Sequence, residues 1–217
     1  LKLIFRGASH LPLTDYLIPM FSIPILHLKV RDWESKRDQL LRIYGYIESN
    51  RKEQTQQDVE TDYHYNFKTP DTCYSSEIST ILNEEISIAT HELLVADLNI
   101  NESDKNNSKP FFIMENSWFE RAAKYSSHQV HNHGPYGYSS VCYLQYSNEK
   151  HTPTHFLNPF ITSNPDEQYF VPDGVGEGSI LFWPSPILHY TESNKSDVDR
   201  IILSFNLSIQ DECGLLN

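Results

Sequence analysis

Four side chains in this chain have the type and spacing to do chemistry together: His131, His133, His189 and Arg200. In His131-Asn132-His133 two imidazoles stand at i and i+2, and side chains alternate across an extended strand, so both rings project to one side. Imidazole binds iron, zinc, copper and nickel, and a metal needs its rings on one side. Asn132 points the other way. Taken alone, the pair is also the pattern of two hydrogen-bonded surface histidines. His189 follows a strand-like run, Ser179 to Trp183, and a Pro-Ser-Pro break in which Pro184 and Pro186 remove ladder donors and kink the chain. Functional groups gather at strand ends, although a half-buried histidine satisfied by a backbone carbonyl would look the same.

Arg200 opens a stretch with two unlike faces, Asp199 to Ile209. Ile201, Leu203, Phe205, Leu207 and Ile209 share one face, and all are apolar. Arg200, Ile202, Ser204 and Asn206 share the other. The apolar face must pack on something, which turns Arg200 inward. A guanidinium fork matches a carboxylate bidentately, and Ser204 can add a hydroxyl to the same anion. A surface salt bridge from Arg200 to Asp197 or Asp199 is the plainer alternative. Against it, a solvated face would be richer in Lys, Glu and Thr.

The elements that must position these groups fall into two halves. Phe21 to Val30 reads as a strand, with Pro24 placing it near an edge or a bulge. Asp32 can cap a helix in which Trp33, Leu40, Leu41, Tyr44 and Ile47 fall on one side. Asn50 to Asp71 has no clear period. Ser75 to Ala96 predicts one helix with a stripe of Ile78, Ile81, Leu82, Ile86, Ala89 and Leu93. Asn99 to Pro110 reads as an exposed loop. Short β-branched and aromatic runs follow: Phe111 to Phe119, Gln129 to His133, Ser139 to Tyr146 and Thr154 to Leu157. A long loop, Asn158 to Glu177, leads into Gly178 to Ile209 and is expected to act as a mobile flap over the site. Helices first and strands afterwards predict an α+β chain whose strands close as a sandwich or barrel, with the helices covering one sheet.

With 217 residues the chain can bury one sizeable core, and one domain is expected. Residues 1–19 read as an extension, 20–210 as the domain (20–110 a strand and supporting helices, 111–210 the strand-rich core) and 211–217 as a tail. No apolar run approaches the roughly 18–20 residues of a membrane span. The net charge of −12 argues against broad binding to nucleic acid or anionic membranes. Cys73, Cys142 and Cys213 are sparse and odd in number, which favours reduced thiols and a cytoplasmic setting.

Together these features resemble the 2-oxoglutarate- and iron(II)-dependent oxygenases, and within them a branch found in phages and bacteria. The likeness rests on His131-Asn132-His133, the strand Tyr138-Ser-Ser-Val-Cys-Tyr-Leu144, Phe156-Leu-Asn-Pro159, Gly178 to Ser185, His189 and Arg200-Ile-Ile-Leu-Ser204-Phe205-Asn206. The opening strand with Phe21 and Pro24 and the strand of Trp118 are similar too, so the likeness spans roughly residues 20–210. It implies a double-stranded β-helix, or jelly roll, of cupin-like form, with Fe(II) between two sheets. It further implies His131 and His189 as iron ligands and Arg200 as the partner of the far carboxylate of 2-oxoglutarate, assisted by Ser204 and Asn206. Tyr138 and Tyr143 are candidates for contacts to the cosubstrate.

His133 stands where the superfamily's usual facial triad has a carboxylate. A carboxylate would cancel one of the iron's two charges and a neutral imidazole cancels none, but three-histidine iron sites occur in related barrels. The expected activity is therefore hydroxylation of a substrate by O2, with His131, His133 and His189 on the metal. A peptide side chain, a nucleobase or a small metabolite are all open as substrate. Two other readings stay open as well: a non-catalytic jelly-roll binding or structural module, and a three-histidine dioxygenase that uses no 2-oxoglutarate. In the latter an inward Arg200 with Ser204 would have no purpose.

Overall fold

The structure is a computed structural model, which describes residues 23–50, 60–61, 74–95, 110–160, 168–211 and 214–215. The elements run β1 (Leu26–Lys29), α1 (Trp33–Asn50), β2 (Glu60–Thr61), α2 (Ser75–Ile81), α3 (Asn83–Thr90) and a π-helical turn (His91–Val95). Then come β3 (Phe111–Ala122), β4 (His128–His131), β5 (Tyr138–Gln145), β6 (His155–Leu157), β7 (Tyr169–Phe170), β8 (Ser179–Pro184), β9 (His189–Thr191), β10 (Arg200–Asp211) and β11 (Gly214–Leu215). The strands form two antiparallel sheets. The larger has the order β1-β8-β5-β10-β3-β2, with β11 also on β10, and the smaller has the order β4-β9-β6-β7. This is an α+β architecture, as expected. Among the described residues no helix is long and apolar enough to cross a membrane.

Strand β10 lies between β5 and β3, and its two faces belong to two different cores. Ile201, Leu203, Phe205 and Leu207 pack with Cys142, Leu144, Ile180 and Phe182 of the neighbouring strands, under Leu40, Ile43 and Ile47 of α1 and Ile78, Ile86 and Ala89 of α2 and α3. Ile209 joins the edge of this cluster. The opposite face meets the smaller sheet: Ile202, Val141, Tyr143, Leu181 and Trp183 pack against Phe156 of β6. Paired residues in an antiparallel ladder share a face. The register Trp183↔Ser139↔Asn206 and Tyr143↔Ile202↔Glu120 therefore lays rows of side chains across the inner face of the larger sheet.

Several expectations change in detail. The single helix over Ser75 to Ala96 is broken at Leu82, whose φ of −99° and ψ of 14° leave the helical region while its side chain stays fully buried. On α1 the buried stripe is Leu40, Ile43 and Ile47, with Trp33, Leu41 and Tyr44 only partly covered. The long connection before Gly178 is not bare loop: Tyr169 and Phe170 pair with Leu157 and Phe156, and Val175 is buried in the inner cluster. Residues 161–167 of the expected flap lie outside the described residues, as do the expected extension at 1–19, Cys73 and Cys213. Part of the expected tail is strand, since Gly214 and Leu215 pair with Asp211 and Gln210.

Leu203 lies at the centre of β10 with 0% exposure, between the sheet and the helices. Leu203→Ala is expected to cost about 2–5 kcal/mol in urea unfolding, because removed methyl groups leave a cavity that a close-packed layer cannot collapse. Ile113→Ala, at a third-exposed position on β3, is expected to stay within about 0.5 kcal/mol of wild type.

Candidate functional site

On the inner face of the smaller sheet, His131 of β4 pairs with His189 of β9, and His189 pairs with Phe156 of β6. The two histidines are thus cross-strand neighbours, with ring centroids 4.3 Å apart. His133 arrives differently from the expectation. β4 ends at His131, and His133 lies in the following turn, held by its backbone N–H on the carbonyl of Ser185 at 3.1 Å. The turn returns through Gly137, whose φ of +79° suits glycine, and any Cβ there would strike the carbonyl oxygen of Leu207. The three imidazoles converge all the same. One ligand nitrogen from each of His131, His133 and His189 lies within 4.8 Å of the others.

Each ring is oriented by an oxygen acceptor on its other nitrogen. His131 Nδ1–H donates to the carbonyl of Gln129 at 2.7 Å and His189 Nδ1–H to that of Ile187 at 3.0 Å. His133 Nδ1–H donates to Oδ1 of Asn206 at 2.8 Å, an oxygen that also accepts from Ser139 Oγ at 3.1 Å. With the proton held on Nδ1, the lone pair remains on Nε2 of all three rings. Burial keeps them neutral: it is the largest cause lowering His133 to about 4 and His189 to about 3, and it lowers His131 as well. Three neutral, oriented imidazoles suit a divalent cation.

The cavity beside them is lined by Glu120, His128, Val141, Thr154, Trp183, Thr191, Ile202 and Ser204 as well as the three histidines. Arg200 lies behind it, 3% exposed, donating from Nη1 to the carbonyl of Thr152 at 3.1 Å and from Nη2 to Thr191 Oγ1 at 2.7 Å. Its Nε is buried and has no partner. The surface salt bridge is ruled out, because Asp197 pairs with Lys124 and Asp199 with Arg121. Among the described residues no carboxylate forms an ion pair with Arg200. Burial pushes its guanidinium below the usual arginine range.

Of the other expected contacts, Ser204 lines the cavity and Asn206 is engaged by His133. Tyr143 is fully buried on the inner face, and its hydroxyl donates to Thr154 Oγ1 at 2.9 Å while accepting from the Thr154 backbone N–H. Tyr138 is a correction. It stands on the helix-facing side of β5 and packs on Phe112 with ring centroids 4.9 Å apart, so the sheet separates it from the cavity.

The sequence reading missed Glu120 and His128. Glu120 is 4% exposed; its Oε1 accepts from the Trp118 indole at 2.9 Å and its Oε2 from His128 Nδ1–H at 2.9 Å. Burial opposes its charge, but His128 and the two hydrogen bonds outweigh this and hold it at about 2. The His128 ring stacks on His131 with centroids 4.0 Å apart. The available signal was the register of Trp118 and Glu120, two residues apart and so on one face of β3, with His128 three residues before His131.

Residues 116–206 match a family model described as "Putative 2OG-Fe(II) oxygenase". Every residue that lines the cavity falls within that segment. The matched segment is therefore similar to that family over its cavity-forming strands. Among solved structures the chain is similar to the non-heme alpha-ketoglutarate-dependent carbocyclase SnoK from nogalamycin biosynthesis: 13% identity over 88% of this chain and 82% of that one, with a TM-score of 0.55. It is also similar to the epimerase SnoN of the same biosynthesis, at 11% identity over 86% and 79% and a TM-score of 0.52. At these identities the likeness is one of fold. No curated protein sequence matches.

Glu120→Ala would leave the Trp118 indole and His128 without their shared acceptor inside the cavity wall. It is expected to destabilise the metal-free protein by about 3–5 kcal/mol in chemical denaturation, the cost of breaking a buried pair from one side. Glu120→Gln keeps one acceptor oxygen and is expected to cost less.

Proposed function

We propose that the protein is a non-haem oxygenase that holds Fe(II) on His131, His133 and His189 and uses 2-oxoglutarate and O2 to hydroxylate a substrate. On this reading the two sheets are the walls of a double-stranded β-helix, and the chain falls in the phage and bacterial branch marked by its H-N-H. The observation that carries it is the arrangement of the three rings, each with Nδ1–H committed to an oxygen acceptor and Nε2 left to a metal.

When bound, iron and 2-oxoglutarate supply oxygen activation, in which one oxygen atom goes to the substrate and the oxoacid leaves as succinate and CO2. The chain's residues bind and orient. Asn206 holds the His133 tautomer and is better read as a partner of that ring than as a contact to the cosubstrate. Arg200 is buried beyond Thr191 with an unpaired Nε–H, and a buried guanidinium costs several kcal/mol unless an anion answers it. The far carboxylate of 2-oxoglutarate supplies that anion, with Ser204 beside it on the cavity wall. Tyr143 fixes Thr154 through both of its hydrogen bonds and so shapes the wall from behind. Val141, Ile202 and Trp183 keep water from the centre.

His131→Ala or His189→Ala is expected to lose stoichiometric iron by elemental analysis, while His133→Asp, which recreates a two-histidine, one-carboxylate set, retains it. If both alanine variants keep one metal per chain, the metal is held elsewhere. Asn206→Ala is expected to weaken metal binding about 10–100-fold, the usual effect of removing a partner that orients a ligand.

Saturating 2-oxoglutarate is expected to stabilise the iron-loaded protein by about 2.7 kcal/mol at a hundred times its dissociation constant, read as a rise in Tm. Arg200→Lys keeps the charge but loses the fork, so it should weaken the oxoacid and spare the metal. An unmoved Tm in wild type would leave a non-catalytic binding module as the better reading.

A further inference from the structure

Among the buried donors without an acceptor in the described residues, one besides Arg200 lines the cavity itself, the indole of Trp183. It is 1% exposed, on the inner face of β8 opposite Ser139, and it lines the cavity. Its ring centroid is 4.9 Å from that of His189, 6.3 Å from His133 and 5.1 Å from Phe156. The Nε1–H has no hydrogen-bond partner among the described residues. The contrast with Trp118 is direct, since that indole faces the same interior and is answered by Glu120 at 2.9 Å.

Leaving a buried N–H unpaired forfeits the hydrogen bond it made with water and costs stability. A packing role alone would not require the nitrogen, because phenylalanine would fill much of the same space without a donor to satisfy. Among the described residues no acceptor answers it: the neighbouring rings are Phe156, whose edge carries none, and two histidines whose remaining lone pairs are assigned to the metal. The acceptor therefore comes from whatever occupies the cavity. Position says which part of it. Trp183 stands beside His133 and His189, whereas Arg200 stands behind Thr191, two residues further along β9 from His189. Trp183 and Arg200 thus stand against opposite ends of β9, His189–Thr191.

Building on the oxygenase reading above, we propose that Trp183 Nε1–H binds the metal-proximal, oxoacid end of 2-oxoglutarate, while Arg200 binds its distal carboxylate. Trp183 is then a cosubstrate-binding residue and not only part of the apolar wall. Its hydrogen bond lowers the cosubstrate's freedom to rotate about the metal and leaves the rest of the cavity to the substrate.

The test is anaerobic titration of Fe(II)-loaded protein, following the visible charge-transfer band of a chelated oxoacid. Trp183→Phe is expected to weaken 2-oxoglutarate about tenfold, equivalent to about 1.4 kcal/mol, and to shift the band, with iron content per chain unchanged. With 2-oxobutyrate, which has the oxoacid head but no distal carboxylate, Trp183→Phe should lose the same factor and Arg200→Lys should lose nothing. Equal affinities in wild type and Trp183→Phe, or a loss confined to 2-oxoglutarate, would overturn the proposal. A wild type that binds neither oxoacid would instead overturn the oxygenase reading on which it rests. A measurement on the unmutated chain guards against a variant that misfolds. In the Zn(II)-loaded protein the nitrogen-15 resonance of the Trp183 indole should move on adding 2-oxoglutarate, and a stationary resonance counts against the hydrogen bond.

Discussion

Buried Arg200, which no carboxylate among the described residues pairs with, is the constraint around which the interior is arranged. Arg200 has surrendered its water, and its two terminal nitrogens hold only a carbonyl and a hydroxyl, Thr152 and Thr191. Neutral acceptors satisfy geometry but do not cancel charge. Glu120 and the hydroxyls of Tyr143 and Tyr146 are the groups whose fields favour the guanidinium's charge, yet none of them pairs with it. The cavity wall thus carries, on the side of Arg200, a buried cation with only neutral partners.

The opposite problem is solved beside the histidines. A metal needs neutral imidazoles with their lone pairs free, and burial supplies the first while oxygen acceptors supply the second. Two of these acceptors are backbone carbonyls only two residues upstream, at Gln129 and Ile187, so they come with local chain geometry. The third, Asn206, comes from β10, the same strand that carries Ser204 and Arg200. One strand therefore sets a ligand's tautomer, a cavity hydroxyl and the buried cation. The ionised Glu120 in the same cavity wall brings a negative charge close to the centre without being one of the converging ligands.

The same strand fixes the register of the site. Its other face, Leu203, Phe205 and Leu207, is locked beneath the helices, and a slip of one residue would exchange the two faces. Burial of the apolar face and presentation of the polar one are a single structural fact. The irregularities in its ladders fall at Ile201/Ile202 and Asn206/Leu207, at the two ends of the segment that faces the cavity.

What the sequence determined by itself is what alternation and residue type can carry. The two faces of β10, the inward Arg200 with Ser204 and the order of helices before strands are all local patterns, and all are present; the expected Phe21 to Val30 strand is an edge strand too, but it begins only at Leu26, after Pro24. The convergence of His131, His133 and His189 followed from the family likeness more than from periodicity, since His133 is not on the strand at all. Only the tertiary structure decided which face of β5 looks inward, because both Tyr138 and Tyr143 sit in a strand buried on both sides. It likewise decided that Asn206 serves His133, and that Glu120, His128 and Trp183 join the cavity. These depend on register between strands far apart in the chain, where pairing and the packing of a second sheet select the face, and no period within one strand encodes that choice.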